Sequence, residues 1–267
     1  MGETIVRKIL LSLIIVGIAV AAYYTVGQKI SVDSKKADAL RVVRIGTEGA
    51  YAPFNFTDEQ GQLKGFDVEI AQAVCKKAKL ECVFTAQDWD GLIPGLLARK
   101  FDMIASSMSI TSERAKAIAF SEHYYRTPIR FVSLKNTTLV CTKEGLRGKK
   151  LGAQRATTSA LYLQENFGDV ADIKLYDTWE TARLDLSAGR IDAVLSDAIS
   201  SWHWLQTPQG VNAQFRGETV YVDSGIGFGM RKSDEDLLKQ INAGLAEIIK
   251  SGEYDTISKK YFPFSIY

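Results

Sequence analysis

The sequence predicts an α/β fold made of two similarly built lobes. Short β-branched runs alternate with segments of helical period, the pattern of mainly parallel sheets covered by helices. A helix–turn–strand pattern occurs twice, in the same order and without gaps. Each copy runs into small polar residues at the end of a strand, where open parallel sheets bind ligands.

From the amino terminus, Arg7 and Lys8 precede an apolar run from Ile9 to Val26, a charged segment followed by a hydrophobic one. Val20-Ala21-Ala22 offers a small-residue cleavage site, so residues 1–22 read as a secretory signal. The alternative is an uncleaved anchor, because roughly 18 apolar residues approach a membrane span. Both readings export the remainder. Residues 23–40 are a polar linker, and folded sequence begins at Arg41. Val42 to Gly46 is a strand, Phe66 to Val74 an amphipathic helix with Val68, Ala71 and Val74 three apart, and Val83 to Ala86 a second strand. Cys75, on the inward face of that helix, and Cys82, at the start of the next apolar run, would meet where the helix turns back into the strand. In an oxidising compartment they form a disulfide; otherwise they are two buried thiols. Cys141 stands alone and reads as an inert buried thiol.

The repeat pairs Trp89–Ser107 with Trp179–Asp197 at constant offset. Trp89 faces Trp179, Leu96 faces Leu186, Lys100 faces Arg190, Asp102 faces Asp192 and Ile104 faces Val194. The preceding strands echo one another as well, Arg44-Ile45-Gly46 matching Lys150-Leu151-Gly152. Four strand ends then become places to inspect: Thr47–Tyr51 and Ser106–Ser109 in the first lobe, Ala153–Thr158 and Ser196–Asp197 in the second. Two lobes presenting such ends to each other make a cleft.

Composition narrows the chemistry. Charged residues make up 24% with a formal net charge of +2, and basic residues are scattered rather than interleaved with aromatics, which argues against nucleic-acid binding. The two histidines, His123 and His203, lack metal-ligand spacing, so neither a metal nor a cofactor is expected. A free amino acid is a zwitterion whose burial requires partners for both charges. Arg114 supplies a forked donor for a carboxylate, beside a helix start at Thr111-Ser112-Glu113-Arg114; the bland alternative is a surface arginine paired to Glu113 or Glu122. Asp197, ending an apolar strand, would accept from an ammonium or merely cap the following helix. Ser106, Ser107 and Ser109 offer hydroxyls and backbone groups. Glu48, Tyr51 and Trp89 would then read the ligand's side chain, two aromatic faces and a terminal carboxylate, unless the aromatics are ordinary core residues.

These residues fall in motifs that resemble a known family. Glu48-Gly49-Ala50-Tyr51-Ala52-Pro53-Phe54, Gly65-Phe66-Asp67, Asp90-Gly91-Leu92-Ile93-Pro94, Ser106-Ser107-Met108-Ser109-Ile110-Thr111 with Arg114, and Gly225-Ile226-Gly227-Phe228-Gly229 are similar to the polar amino-acid-binding proteins of bacterial ABC importers. The likeness is greatest to the lysine/arginine/ornithine-, histidine- and opine-binding group. The resemblance covers roughly residues 41–267.

It implies the type II periplasmic-binding-protein fold: mixed, mainly parallel sheets with helices on both faces, and two crossovers acting as hinges. Lobe 1 would be 41–130 plus 223–267, and lobe 2 would be 131–222. Arg114 and the Thr158 region would hold the α-carboxylate, Asp197 and the Ser106/Ser107/Ser109 loop the α-ammonium, and Tyr51 and Trp89 would flank the side chain. The Cys75–Cys82 disulfide follows from the same resemblance. So do a periplasmic location, a membrane permease of an ABC importer as partner, a monomeric receptor, and no catalysis. Two departures stand out. Glu48 replaces a shorter aspartate of the lysine-type relatives, and Ala156-Thr157-Thr158-Ser159 replaces a more usual Gly-Ser/Thr-Thr-Gln. Arg155, beside the latter, would be an extra anion contact for an opine or a rim charge. The competing readings are a cyclohexadienyl dehydratase-like enzyme on the same fold, with Glu48 as its acid, and a ligand-binding sensor module acting through a partner.

Overall fold

The chain buries its central strands on both faces, and that burial explains the layered architecture of the computed structural model. The structure describes Tyr23 and residues 40–267; the signal and linker segments expected at 1–22 and 23–40 lie outside the described residues apart from Tyr23 and Leu40. One five-stranded sheet runs in the order β5 (Leu80–Ala86), β1 (Arg41–Thr47), β6 (Met103–Ile104), β13 (Gly229–Met230), β7 (Ala119–Phe120). A second runs β10 (Asp172–Tyr176), β9 (Lys150–Gln154), β11 (Ala193–Asp197), β8 (Ile129–Leu134), β12 (Ala213–Val220). Both are mixed. β1 pairs with β6 in parallel and β13 returns antiparallel, while β10, β9 and β11 are mutually parallel and β8 and β12 antiparallel. Val42–Tyr267 is one unit containing both sheets.

Period-two alternation assigns each strand residue to a core. In β11, Ala193 and Leu195 pack with Leu163 and Phe167 of helix α4 (Thr158–Phe167), whereas Val194 joins Trp179, Ala182 and Leu186 of helix α5 (Trp179–Ser187) on the opposite face. In the first sheet Met103 and Ala105 face helix α1 (Phe66–Lys77) and the carboxy-terminal helices α7 (Glu235–Lys250) and α8 (Glu253–Tyr261). Ile104 faces Leu92 and Leu96 of the short helix α2 (Leu92–Leu97). Helices therefore cover both faces of both sheets.

The repeat is visible as shared construction. Asp102 accepts the backbone N–H of Arg44 at 3.2 Å and pairs with its guanidinium at 2.9 Å; Asp192 likewise accepts the N–H of Lys150 at 2.8 Å and pairs with Lys149. Gly46 and Gly152 are matched for one steric reason: a Cβ at either would stand 2.7 Å from the Phe101 ring or 2.6 Å from Ile191, themselves repeat partners. The copies diverge at their start. Trp179 opens a nine-residue helix, capped by Thr178, while Trp89 lies in a 3₁₀ turn (Trp89–Gly91) before a six-residue helix that contains Pro94.

Helix α1 ends at Lys77, and a left-handed Lys79 (φ 55°) reverses the chain into β5. That reversal brings Cys75 and Cys82 together as a disulfide, their Cα atoms 6.2 Å apart. The chain passes from the first sheet to the second near residues 126–128 and returns near 221–225, and the passing segments bond to each other through Tyr125 and Ile226.

Candidate functional site

Strand ends from both sheets converge on one cavity. Its lining contains all nine residues singled out from the sequence: Glu48, Tyr51, Trp89, Ser106, Ser107, Ser109, Arg114, Thr158 and Asp197. Gln154, Asp223 and Thr127 join them, with Ile129, Leu195 and Ile226 as apolar wall.

Arg114 is carried by the short helix α3 (Ser112–Ala117), whose start is capped by the Thr111 hydroxyl accepting the Arg114 N–H at 3.2 Å. The guanidinium donates to the Ser109 carbonyl and, across the cleft, to the Ala156 carbonyl, both at 3.0 Å, and stacks 5.2 Å over the Trp89 ring. Neither Glu113 nor Glu122 neutralises it; Glu113 pairs with Lys116. Among the described residues Arg114 makes no ion pair, and burial pulls its pKa down to about 10, with Asp223 opposing the fall. The guanidinium is half-buried and retains N–H donors that no side chain of the described residues uses, the donor set that suits an anion. Helix α4 points its first turn at the same cavity. Thr157 caps it by accepting the Ala160 N–H at 3.1 Å, and Thr158 and Ser159 line the void with first-turn N–H groups that the helix itself cannot satisfy.

Asp197 caps the following helix, one of the two roles its position suggested, and it also lines the cavity. One carboxylate oxygen caps helix α6 (Ala198–Leu205), accepting from Ile199 at 2.7 Å and Ser200 at 3.0 Å, while the residue still lines the cavity. Burial raises its pKa to about 7, helped by Asp223 and resisted by the capping N–H groups and the Thr127 hydroxyl. The serine loop is held from behind. Buried Asp67 accepts from the Ser107 N–H and hydroxyl, from Asn55 and from Tyr124, at 2.6–3.0 Å, fixing Ser107 in the left-handed region (φ 49°). Ser106 accepts the Glu48 N–H at 2.9 Å.

In the same lining, Glu48 accepts from the Gln154 amide at 2.6 Å across the cleft. Burial raises its pKa to about 7 despite that bond. Tyr51 and Trp89 also line the cavity, with the Tyr51 hydroxyl 3.4 Å from Ser196 and the Trp89 indole donating to the Ala156 carbonyl at 3.1 Å. Arg155 is not among the lining residues. It pairs with Asp177 and, across the cleft, with Asp90 at 3.5 Å, making it a rim charge rather than an anion contact inside.

The lining thus carries three carboxyl groups, Glu48, Asp197 and Asp223, against the single guanidinium of Arg114. Sequence reasoning missed Gln154 and Asp223. Gln154 lies inside the strand-end segment it had marked, and Asp223 lies in a crossover, where no periodicity operates.

The chain's similarity to known proteins agrees with this construction. The family profile of bacterial extracellular solute-binding proteins, family 3, matches residues 43–264. The L-arginine-binding protein of Pseudomonas aeruginosa is 39% identical over 231 residues, 84% of this chain and 89% of that one. The lysine/arginine/ornithine-binding periplasmic protein of Escherichia coli is 36% identical over 98% of both chains. Among solved structures, an ancestral arginine-binding protein bound to arginine superposes with a TM-score of 0.79 at 35% identity, covering 83% of this chain and 98% of that one.

Proposed function

Since this chain belongs to the bacterial extracellular solute-binding proteins, family 3, we propose that it is a periplasmic receptor that captures a cationic amino acid for an ABC importer. The observation that carries the proposal is the charge of the cavity. A neutral amino acid brings one positive and one negative end, which Asp197 and Arg114 would balance. Buried Glu48 and half-buried Asp223 then remain as excess negative charge in the lining, and a second positive charge on the ligand offsets it.

In this reading the α-carboxylate lies between Arg114 and the first turn of helix α4, and Asp197, with Asp223 beside it, takes the α-ammonium. The aliphatic part of the side chain runs between Tyr51 and Trp89, and the distal cation meets Glu48. The first sheet with its helices (41–130 and 223–267) and the second (131–222) act as lobes that close over the ligand, with the two crossovers as hinges. Of the ligands expected from the sequence, arginine, lysine, ornithine and histidine fit without a further anion contact. An opine loses the support that Arg155 was expected to give. The receptor acts as a monomer on its permease, exported by the segment at 1–22.

Calorimetric screening of the purified protein against the common amino acids tests this. Arginine, lysine, ornithine or histidine should bind in preference to neutral and acidic amino acids; tight binding of a neutral or acidic amino acid with none of the four would overturn the assignment. One observation favours a second, catalytic reading: Glu48, with a pKa near 7 inside the cavity, has the poise of a general acid. Turnover of prephenate or arogenate by the purified protein would establish it. We infer binding rather than catalysis because Glu48 is committed to Gln154 across the cleft, and because the curated relatives described above are named as binding proteins.

A further inference from the structure

We propose that the Asp90–Arg155 ion pair is a latch at the edge of the cleft, formed when the lobes close, which sets how long a ligand stays bound without touching the ligand. The inference rests on the receptor reading above and goes beyond it, from what is bound to how fast it leaves.

The pair joins the two halves of the fold. Asp90 lies in the 3₁₀ turn Trp89–Gly91 on the first sheet's side, and Arg155 directly follows β9 of the second sheet. Each stands one residue outside the cavity: Trp89 and Gln154 line it, and neither Asp90 nor Arg155 does. Consecutive residues thus meet consecutive residues. Asp90 faces Arg155 at 3.5 Å, and beside them the Trp89 indole donates to the Ala156 carbonyl at 3.1 Å. Arg114, stacked over Trp89, gives that carbonyl a second donor at 3.0 Å. The ion pair therefore adjoins the guanidinium read above as the partner of the ligand's carboxylate.

Arg155 is prepared for this contact by its own lobe. Its backbone N–H donates to the Tyr176 carbonyl at 2.8 Å, and one arm of its guanidinium pairs with Asp177. The other arm meets Asp90 across the cleft. An arginine already ordered by one carboxylate loses less freedom on meeting a second. Opening the cleft would break the bond to Asp90 and keep the bond to Asp177. The Asp90 and Arg155 side chains are 50% and 45% exposed, so the pair contributes modestly and its removal leaves the core intact.

The rival account is that each charge acts on a cationic ligand through its own field. The two accounts differ in sign. By field alone, removing the Asp90 charge frees the ligand faster and removing the Arg155 charge frees it more slowly. A latch loses its hold whichever partner goes, so both removals speed release.

Stopped-flow tryptophan emission of the full chain with L-arginine, in the wild type, Asp90→Asn, Arg155→Gln and the double variant, separates them. Each single variant should release arginine about two- to fivefold faster, the range for an exposed ion pair. The double variant should be no faster than the quicker single one, because the second change removes nothing further. A release rate unchanged or slowed in either single variant, or effects that multiply in the double one, would overturn the latch. A wild type that binds another amino acid but no cationic one overturns the underlying reading, and this inference with it.

Discussion

At the scale of single residues, the site is a set of charges left without partners inside the protein. Arg114 is the clearest case. Replacing it with alanine should cost about 2–5 kcal/mol of ligand binding, on the order of 30-fold to several thousandfold in Kd. Thermal stability should stay level or rise, because the change removes a half-buried cation that makes no ion pair among the described residues. Glu48 and Asp197 supply a second test. Burial raises both to about 7, and a cationic amino acid requires both ionised, so binding expels protons. Affinity for arginine should therefore climb between about pH 5.5 and pH 8, by up to about tenfold per pH unit for each group, and level off above. Calorimetry across that range reads it, and a flat profile contradicts it. The unliganded fold shows the opposite trend. These two carboxyls keep protons that the unfolded chain has already released, so they favour the fold at low pH, and that contribution is lost as pH rises through about 7. His203, whose pKa burial lowers, works the other way, mainly below its ordinary value. Arg114 and Asp197 were legible in the sequence because a charge at a strand end next to apolar residues is conspicuous. Gln154 was not, because an amide's role depends on which side chain arrives from the other sheet.

At the scale of elements, the short links between strands and helices set the geometry, and one of them is strained. Ala156 joins β9 to the Thr157 cap with φ at 56°, a conformation costly for any residue with a Cβ. Its carbonyl accepts from both Trp89 and Arg114, which fixes the backbone there. Ala156→Gly should stabilise the protein by about 1 kcal/mol, raising the melting temperature by about 2–4 °C. A fall would show that contacts of the alanine methyl outweigh the relief. Strand and helix positions were readable from alternation and period, and the echo of Arg44 and Asp102 in Lys150 and Asp192 was readable as a repeat. The left-handed turns at Ser107 and Ala156 were not, since neither position carries the glycine or asparagine that would announce them.

At the scale of the whole molecule, several polar contacts among the described residues cross from one sheet's side of the cleft to the other, and Trp202 meets Phe264 as well. The polar ones include Glu48–Gln154, Tyr51–Ser196, Trp89–Ala156, Arg114–Ala156, Asp90–Arg155 and Ser200–Ala52. Two of them depend on the residues that would hold the two ends of the ligand, so ligand and closure should be coupled. Solution scattering of the 40–267 fragment should show the radius of gyration falling on addition of arginine to about 17 Å, the value for a compact chain of this length, with a simultaneous change in tryptophan emission. No change in either would mean that the cleft does not open. The division into two sheets was readable from the repeat, whereas the way the chain passes twice between them was supplied by family resemblance rather than by any local pattern.

The strand order has a consequence for the sequence of events in folding. β13 lies between β6 and β7, in the interior of the first sheet, yet it is contributed by residues 229–230. The second sheet draws all its strands from one uninterrupted stretch, 129–220. A chain emerging amino-terminus first therefore holds every strand of the later sheet before the earlier one can be filled. The half that starts first finishes last, and its exposed gap between β6 and β7 is the interval in which the emerging chain is most open to mispairing.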